Sequence, residues 1–185
     1  MAGEAIILYH GSIYDFDKVD VTKGKPNKDF GRGFYTSRQE THAVDLAVRN
    51  RQIEIARQSR VLPGSGGKRI TAWLYVFEAD WESLSELNIK EFSNADFEWV
   101  DFIVENRSNP GLQHNYDVVI GPTANDDTLI TISALLNHTY GDPKSDRAKE
   151  IFLEFILADR LPRQTYFATD RAAALLTLKD RRAVR

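Results

Sequence analysis

The amino-acid sequence predicts an α+β domain in which strands and helices are mixed without regular βαβ alternation. Short runs of β-branched and aromatic residues stand beside longer stretches whose apolar residues recur at 3–4 spacing. No GxGxxG sequence follows a predicted strand and opens a helix, so the sequence does not indicate a Rossmann domain. We expect residues 1–185 to form a single domain with two mobile segments, 20–33 and 60–69, both rich in Gly and Lys.

The predicted elements follow from these two patterns. In chain order they are a strand over 5–9, a helix over 38–59, a strand over 70–80, a helix over 94–107, a strand over 116–122 ended by Gly121-Pro122, helices over 127–138 and 145–159, a strand over 164–169 and a helix over 170–178. A capping box of Ser37 and Glu40 should start the first helix. The residues expected to face inward on two of these helices are Ala43, Leu46, Ala47, Ile53 and Ala56, then Ala148, Ile151, Phe152, Phe155 and Ile156.

Composition restricts the function classes. The 185 residues are 42% hydrophobic and 28% charged, which is typical of a folded globular chain. The net charge of −3 argues against a broad basic surface for nucleic acid, although a local groove stays open. The absence of cysteine excludes disulfides, cysteine zinc sites and a thiol nucleophile. With no basic leader and no long apolar run, we expect a soluble cytoplasmic protein with no membrane partner.

Common catalytic and metal motifs are missing. No GxSxG, HExxH, P-loop or EF-hand pattern occurs, and the histidines His10, His42, His114 and His138 are not paired at helical spacing, so no metal is expected. Asp126 and Asp127 precede a predicted helix, where caps are more common than a metal or acid–base pair. We expect Arg107 to hold a loop in place by an ion pair with a carboxylate, rather than to bind phosphate.

Two segments stand out, "LYHGS" at 8–12 and "DFGRGFYTS" at 29–37. Glycines let a backbone approach a ligand closely, a helix N-terminus favours anions, and an aromatic ring offers a stacking surface. Taken singly, a histidine at a strand end, a glycine-rich turn and a tyrosine are more often structural. Their joint occurrence indicates a ligand with a heterocyclic ring and phosphates.

These two segments, followed by a helix and a distal "QTYFAT", resemble the ADP-ribosyltransferase superfamily, in particular its poly(ADP-ribose) polymerase-like branch and a bacterial toxin-like group of unknown function. The resemblance implies split antiparallel β-sheets around an NAD cleft with peripheral helices. It implies that His10 binds a ribose hydroxyl, that Tyr35 stacks on nicotinamide and that Arg32 contacts phosphate or target. The other cofactor-binding positions that it implies are Tyr9, Gly11, Ser12, Gly31, Gly33, Phe34 and Thr36.

Gln164 occupies the place of the third catalytic residue in this resemblance. A glutamine keeps a hydrogen bond but cannot take up a proton, which argues against poly-chain elongation and against a general base here. An edge-strand polar residue facing water is the plain alternative. Residues 167–169 also lack the histidine of the family's third motif.

The function expected from the resemblance is mono-ADP-ribosyl transfer from NAD⁺, as co-substrate, to a macromolecular acceptor with release of nicotinamide. The resemblance also allows the toxin of a bacterial toxin–antitoxin or phage-conflict system, with a small antitoxin protein as partner. The alternatives are an NAD⁺ glycohydrolase, and a non-catalytic module that binds NAD, ADP-ribose or a protein. Separately, the arginines of 49–60 form either a solvated helix face or a partner surface.

Overall fold

A computed structural model describes residues 5–61, 69–109, 111, 114–123, 126–156 and 161–185. The fold is α+β, as predicted, with two β-sheets and several helices. The described residues group into two compact units, the first within 1–19, 36–84 and 174–185, and the second within 20–35 and 85–173. That residues 1–185 act as a single domain stays a prediction.

The first unit contains a three-stranded sheet and one long helix. Its elements are β1 (Ala5–Ser12), α1 (Glu40–Val61), β3 (Ala72–Asp80), most of α2 (Trp81–Ser85) and β7 (Thr177–Val184). The strand order is β1-β3-β7 and both pairings are antiparallel. β3 is central, and its leucine and aromatic residues Leu74, Tyr75 and Phe77 are buried.

Gly11 explains how α1 packs on this sheet. A Cβ atom at position 11 would lie 1.9 Å from the carbonyl oxygen of Ala43 in α1, a distance that no side chain tolerates. The helix therefore meets the sheet through small residues, and Ala43 and Ala47 are its buried contacts. Gly11 does not end the strand, because β1 continues to Ser12.

Two expectations about α1 are wrong. The helix begins at Glu40, and the Ser37 hydroxyl accepts a bond from the amide of Gln39 (3.0 Å), two residues on instead of three. Glu40 pairs with Arg182 on β7 instead of reaching back to Ser37 (2.6 Å). Ile53 is 57% exposed and Ala56 is also exposed, although the spacing placed both inward, since the buried residues of α1, Ala43 and Ala47, lie in its first half.

Residues 177–184 correct the expected final helix. The last helix, α6 (Asp170–Ala173), is a single turn, and β7 follows it. β7 is rich in charge, and its side chains are largely exposed, so its sequence carries little strand signal. Backbone pairing with β3 makes it a strand, and Lys179 adds an ion pair with Glu78 (2.9 Å).

The second unit contains a mixed sheet covered by helices. Its elements are β2 (Phe34–Thr36, whose last residue groups with the first unit), β4 (Ile89–Glu91), α3 (Phe97–Ser108), β5 (Val118–Pro122), α4 (Asp126–Leu136), α5 (Asp146–Phe155), β6 (Arg163–Phe167) and α6. The strand order is β2-β6-β5-β4. β4 and β5 run parallel, so the expectation of purely antiparallel sheets is wrong for this pair. The parallel pairing follows from the connection, since α3 lies between the two strands along the chain.

The core of the second unit lies between this sheet and the helices. Its largest buried side chains include Trp99 and Phe152, which stack at 6.3 Å between ring centroids. Asp96 caps α3 by accepting the amide of Trp99 (3.0 Å). Phe155, expected to face inward, is 66% exposed and stacks on Tyr140 (5.8 Å). β5 ends at Pro122, as predicted, and Gly121 is the residue before it.

Asp117, just before β5, joins three segments of the second unit. Its carboxylate is 4% exposed and accepts bonds from the Arg171 guanidinium, the Thr169 hydroxyl (2.8 Å) and the Asn88 amide (3.1 Å). The bonds from Arg171, which outweigh the desolvation by burial, hold the pKa of this carboxyl at about 2, below its ordinary value of 3.8. The ionised carboxylate therefore holds the β4, β5 and α6 regions together.

Replacing Gly11 with Ala should lower the free energy of unfolding by about 1–3 kcal/mol, because the new methyl group overlaps the Ala43 carbonyl. Urea unfolding followed by circular dichroism measures the change. Ala5→Ser, at an exposed position of the same strand, is the control and should be neutral. Equal stability of Gly11→Ala and wild type would show that α1 does not pack as described.

Asp117→Asn should lower the free energy of unfolding at pH 7 by about 1.5–3 kcal/mol, through loss of charge-assisted bonds. The folded-state pKa lies below the unfolded one, so the unfolded state takes up the proton first. The stability that Asp117 contributes is full above pH 3.8 and is lost as the pH falls through about 2. Urea unfolding at a series of pH values should therefore show that the free energy of unfolding of the variant falls less steeply with decreasing pH than that of the wild type.

Glu86→Gln is the control for this acid series, because Glu86 is exposed. Its free energy of unfolding should fall with decreasing pH as steeply as that of the wild type. An Asp117→Asn variant with the wild-type slope between pH 3.8 and about 2 would contradict the assigned role.

Candidate functional site

His10 projects from β1 into a group of aromatic side chains in the first unit. It lies opposite Tyr75 of β3, and its ring centroid is 6.2 Å from that of Tyr75 and 5.9 Å from that of Phe16. The imidazole is half-buried. Because neighbouring strand residues point to opposite faces, His10 projects away from α1, which packs over Gly11.

Tyr75 and Phe16 form a fixed wall beside His10. Their rings stack with centroids 4.0 Å apart and an angle of 11° between planes. The Tyr75 hydroxyl accepts the amide of Phe16 (2.9 Å) and lies 3.0 Å from the carbonyl oxygen of Tyr14, to which it can donate. Arg181 of β7 adds ion pairs with Asp15 (2.6 Å) and Asp17 (2.8 Å). The segment after β1 is therefore held on both sides.

Two other predicted residues of the first unit make local hydrogen bonds, and a third is buried. The Ser12 hydroxyl is buried and accepts the amide of Tyr14 (3.0 Å), which closes the turn after β1. Tyr9 exchanges two backbone bonds with Ser37, each 2.8 Å long. Thr36 is buried. These contacts fix the backbone around His10.

In the second unit, the Tyr35 hydroxyl closes the loop over residues 28–35. It accepts the amide of Phe30 (3.1 Å) and donates to the carbonyl oxygen of Gly31 (2.7 Å). Gly31 has a φ of +92°, a conformation that glycine adopts without strain. Burial raises the pKa of the Tyr35 phenol well above its ordinary value, so the hydroxyl stays protonated and can donate.

Two more side chains pair the backbone of this loop. The Tyr166 hydroxyl donates to the carbonyl oxygen of Arg32 (2.7 Å), and the His114 Nε2 lies 2.9 Å from that of Phe30. The Nδ1 atom of His114 accepts the amide of Tyr116 (3.2 Å), so the ring is neutral with its proton on Nε2. Burial lowers the pKa of His114, which agrees with this tautomer.

Gly33 of this loop and Gly24 before it are required for close packing. A Cβ atom on Gly33 would lie 2.4 Å from the Tyr166 ring, and one on Gly24 would lie 2.3 Å from the carbonyl oxygen of Gly33. Phe34 is buried, whereas the Arg32 side chain is exposed. The loop is thus packed along its backbone and presents Arg32 outward.

A buried ion pair confirms the structural prediction for Arg107. Its Nε atom donates to Asp29 Oδ1 (2.6 Å), and the side chains are 13% and 3% exposed. The Thr123 hydroxyl donates to the other carboxylate oxygen (2.8 Å). Loop, α3 and the end of β5 meet at this carboxylate.

Gln164 lies second in β6, opposite Gly121 of β5. Strand alternation puts it on the same face as Tyr166, which belongs to the helix-covered core, and its side chain is half-buried. α4 begins at Asp126, so Asp126 and Asp127 lie in its first turn instead of preceding it, and their side chains lie outside the described residues.

The predicted residues divide between the two units. The first unit holds Tyr9, His10, Gly11, Ser12 and Thr36, and the second holds Gly31, Arg32, Gly33, Phe34, Tyr35 and Gln164. Sequence reasoning missed Phe16, Tyr75, His114 and Tyr166 as their neighbours. Tyr75, His114 and Tyr166 lie far along the chain from the groups that they contact, and Phe16, although close to His10 in sequence, is held beside it by Tyr75.

Within the ranges that the structure describes, no group of three or more His, Asp or Glu side chains could hold a metal ion. Among the helices in those ranges, none is long and apolar enough to cross a membrane.

A family model described as "Protein of unknown function (DUF3990)" matches residues 6–178, which is most of the chain. Among curated proteins and among solved structures, none matches the chain. The match covers both the β1 segment around His10 and the loop that carries Tyr35.

Tyr35→Phe should lower the free energy of unfolding by about 1–3 kcal/mol, because the Phe30 amide and the Gly31 carbonyl lose their shared partner. Urea unfolding measures the loss. Tyr14→Phe is the matched control, since Tyr14 is 72% exposed, and its change should stay within about 0.5 kcal/mol. Equal effects in both variants would contradict the loop-closing role of the Tyr35 hydroxyl.

Proposed function

The chain belongs to the DUF3990 family, and we propose that it is a mono-ADP-ribosyltransferase on an ADP-ribosyltransferase-like fold. It transfers one ADP-ribose from NAD⁺ to a macromolecular acceptor and releases nicotinamide. The observation that supports this proposal is the pair of motifs around His10 and Tyr35, each held by its own set of hydrogen bonds. Rigid placement is what a reaction driven by positioning and electrostatics needs.

His10 binds a hydroxyl of the nicotinamide ribose. The imidazole sits on a paired strand, and the stacked rings of Phe16 and Tyr75 limit its movement. A ring nitrogen of neutral histidine can donate to or accept from a ribose hydroxyl. A fixed hydrogen bond at this hydroxyl would hold the sugar while the bond to nicotinamide breaks.

Tyr35 offers its ring to the ligand and not its hydroxyl. Both hydrogen-bonding functions of that hydroxyl are used by the loop, and the raised pKa keeps the proton on oxygen. Tyr35 is therefore unsuited to proton transfer, whereas an aromatic face can stack on the nicotinamide ring. Because the loop uses only the hydroxyl of Tyr35, this arrangement supports a stacking role for its ring.

Arg32 supplies positive charge for the diphosphate or the acceptor. Its backbone is held by Tyr166 while its side chain is exposed, so the cation is presented from a fixed point. An arginine fork binds phosphate oxygens well. The remaining proposed contacts with NAD⁺ come from Tyr9, Gly11, Ser12, Gly31, Gly33, Phe34 and Thr36.

The chemistry needs no general base for its first half. The glycosidic bond between the ribose carbon and the nicotinamide nitrogen breaks, its electron pair leaves with neutral nicotinamide, and the sugar gains oxocarbenium character. A nucleophile on the acceptor then bonds to that carbon and loses its proton. Gln164 cannot take this proton, so the proton passes to solvent water or to a basic group elsewhere on the acceptor molecule.

One observation favours a second candidate, a module that binds NAD or ADP-ribose without turnover. Gln164 replaces the carboxylate that the chain-forming relatives use, and strand register puts it on the side of β6 that faces the core.

Hydrolysis of NAD⁺ with water as acceptor is the nearer variant of the proposed reaction. A small antitoxin protein would be the partner if the chain is a bacterial toxin.

Incubation of the purified protein with NAD⁺ labelled on the adenylate phosphate, together with a cell lysate, separates these functions. Label on protein or nucleic acid with release of nicotinamide is the expected result for transfer. Nicotinamide without labelled macromolecule indicates hydrolysis. Saturable NAD⁺ binding with neither product indicates a binding module and overturns the enzyme proposal.

His10→Ala should reduce nicotinamide release by about a hundredfold or more, because a hydrogen bond made at the reacting sugar is lost. His42→Ala, on α1, is the matched control and should leave the rate within about threefold of wild type. Tyr35→Phe keeps the ring and should retain release at a temperature where it is folded. Release by His10→Ala at the wild-type rate would remove His10 from the site. Quantitative chromatography of nicotinamide measures all four rates.

A further inference from the structure

Three side chains form a row across the sheet of the first unit. His10 of β1 pairs in register with Tyr75 of β3, and Tyr75 pairs with Arg181 of β7. Direct partners in antiparallel strands project from the same face of a sheet, so these side chains lie on the face opposite α1. Tyr75 is fully buried. As the middle member of the row, it adjoins both of the others.

Residues 14–17, which we call the strap, are tied to this row by the Tyr75 hydroxyl. That hydroxyl accepts the amide of Phe16 (2.9 Å) and lies 3.0 Å from the carbonyl oxygen of Tyr14. It is also 3.2 Å from Oδ1 of Asp15, a second acceptor for its proton. Burial raises the pKa of the Tyr75 phenol above its ordinary value, so the proton is present for donation. The hydroxyl thus fixes the strap through both of its hydrogen-bonding functions.

Arg181 supplies a second tie to the strap. Its Nη1 atom donates to the carboxylates of Asp15 (2.6 Å) and Asp17 (2.8 Å), and to the carbonyl oxygen of Phe16 (3.2 Å). Solvent screens these ion pairs, since the Asp17 side chain is 91% exposed. The bond between the Phe16 amide and the buried Tyr75 hydroxyl is therefore the stronger tie.

Phe16 connects the strap to His10. Its ring stacks on the Tyr75 ring with centroids 4.0 Å apart, and it meets the imidazole edge-on at 5.9 Å with an angle of 66° between planes. The Tyr75 ring centroid is itself 6.2 Å from that of the imidazole. Two aromatic rings therefore restrict the imidazole, and the place of one of them depends on a backbone bond to the Tyr75 hydroxyl.

We propose that Tyr75 is a positioning residue for His10: its hydroxyl holds the Phe16 backbone, and the Phe16 ring then holds the imidazole in the orientation that meets the ribose. The inference rests on the function proposed above for His10, and Tyr75 acts through His10 instead of through NAD⁺. Misplacing a catalytic group by about 1 Å can lower a rate by about a hundredfold. Because the ring stack and the Arg181 tie would remain, loss of the hydroxyl alone should cost less than that.

A purely structural role for the Tyr75 hydroxyl makes a different prediction. Its loss would then lower the free energy of unfolding without changing the imidazole, or the rate at temperatures where the protein is folded. A hydroxyl that acts through Phe16 must instead change the surroundings of His10. Its effect must also disappear once the Phe16 ring has been removed, because residues that act through one contact are not additive.

Nuclear magnetic resonance of the histidine rings tests the positioning without NAD⁺. Tyr75→Phe keeps its own ring, so a shift of the His10 ring resonances in this variant reports movement of Phe16. We expect that shift, with the resonances of the exposed His138 unchanged. Tyr14→Phe is the matched control, because it removes a 72% exposed hydroxyl from the same strap and keeps the backbone contacts. It should leave the His10 resonances in place.

Steady-state release of nicotinamide tests the consequence for the reaction. Tyr75→Phe should lower kcat by about tenfold and keep KM for NAD⁺ within about threefold, because the His10 bond matters most as the sugar reacts. Phe16→Leu should give a similar loss, and the double variant should lose no more than the larger single loss. Tyr14→Phe should stay within about threefold of wild type. All rates are measured at a temperature where thermal unfolding shows each variant to be folded.

Unchanged His10 resonances or a wild-type kcat in Tyr75→Phe overturns the proposal, and so do additive losses in the double variant. Should Tyr75→Phe fail to fold, a wild-type kcat in Phe16→Leu overturns it instead. Should the wild-type protein release no nicotinamide, the function proposed for His10 fails. The His10 resonances in Tyr75→Phe then still support or overturn its placement by Tyr75.

Discussion

The backbone of residues 30–32 runs through the packed interior of the second unit, and this places one constraint on everything around it. Buried backbone amides and carbonyls must be paired, because each unpaired group costs free energy. Here the pairs come from side chains: Tyr35 bonds the Phe30 amide and the Gly31 carbonyl, Tyr166 bonds Arg32, and His114 bonds Phe30. The loop therefore keeps a single conformation without belonging to a sheet or a helix.

In this loop, the atoms that hold the backbone in place are not the atoms that we propose to bind a ligand. The Tyr35 hydroxyl serves the loop, which leaves only its ring for a ligand. Arg32 gives its carbonyl oxygen to Tyr166 and keeps its guanidinium exposed. Asp29 and Arg107 form a buried ion pair beneath the same loop, where loss of one partner would leave an unpaired charge. Variants of such residues can alter stability and binding at once, so the hydroxyl, the ring and the charge must be changed separately.

In the first unit, α1 and the His10 side chain lie on opposite faces of the three-stranded sheet. Alternation along β1 sends Gly11 toward α1 and His10 to the opposite face of the sheet. The exposed flank of α1 is formed by side chains that take no part in the aromatic group around His10.

Local pattern was enough to predict much of the fold and the candidate residues. The sequence by itself determined that the chain is α+β, that α1, α3, β3 and β6 exist, and that His10 and Tyr35 stand in unusual local settings. These features depend on periodicity and on neighbours a few residues away. Arg107 was also predicted to pin a loop, although its partner, 78 residues earlier, was not.

Only the tertiary structure decided the rest, because those features depend on residues distant along the chain. Residues 177–184 are a strand since β3 supplies the backbone partners, and β4 is parallel to β5 although both sequences are short and ordinary. Ile53 and Phe155 fit an inward periodicity, yet both side chains are more than half exposed. Phe16, Tyr75, His114 and Tyr166 gain their roles from contacts that no local spacing encodes, and a folded chain alone brings such groups within hydrogen-bonding distance.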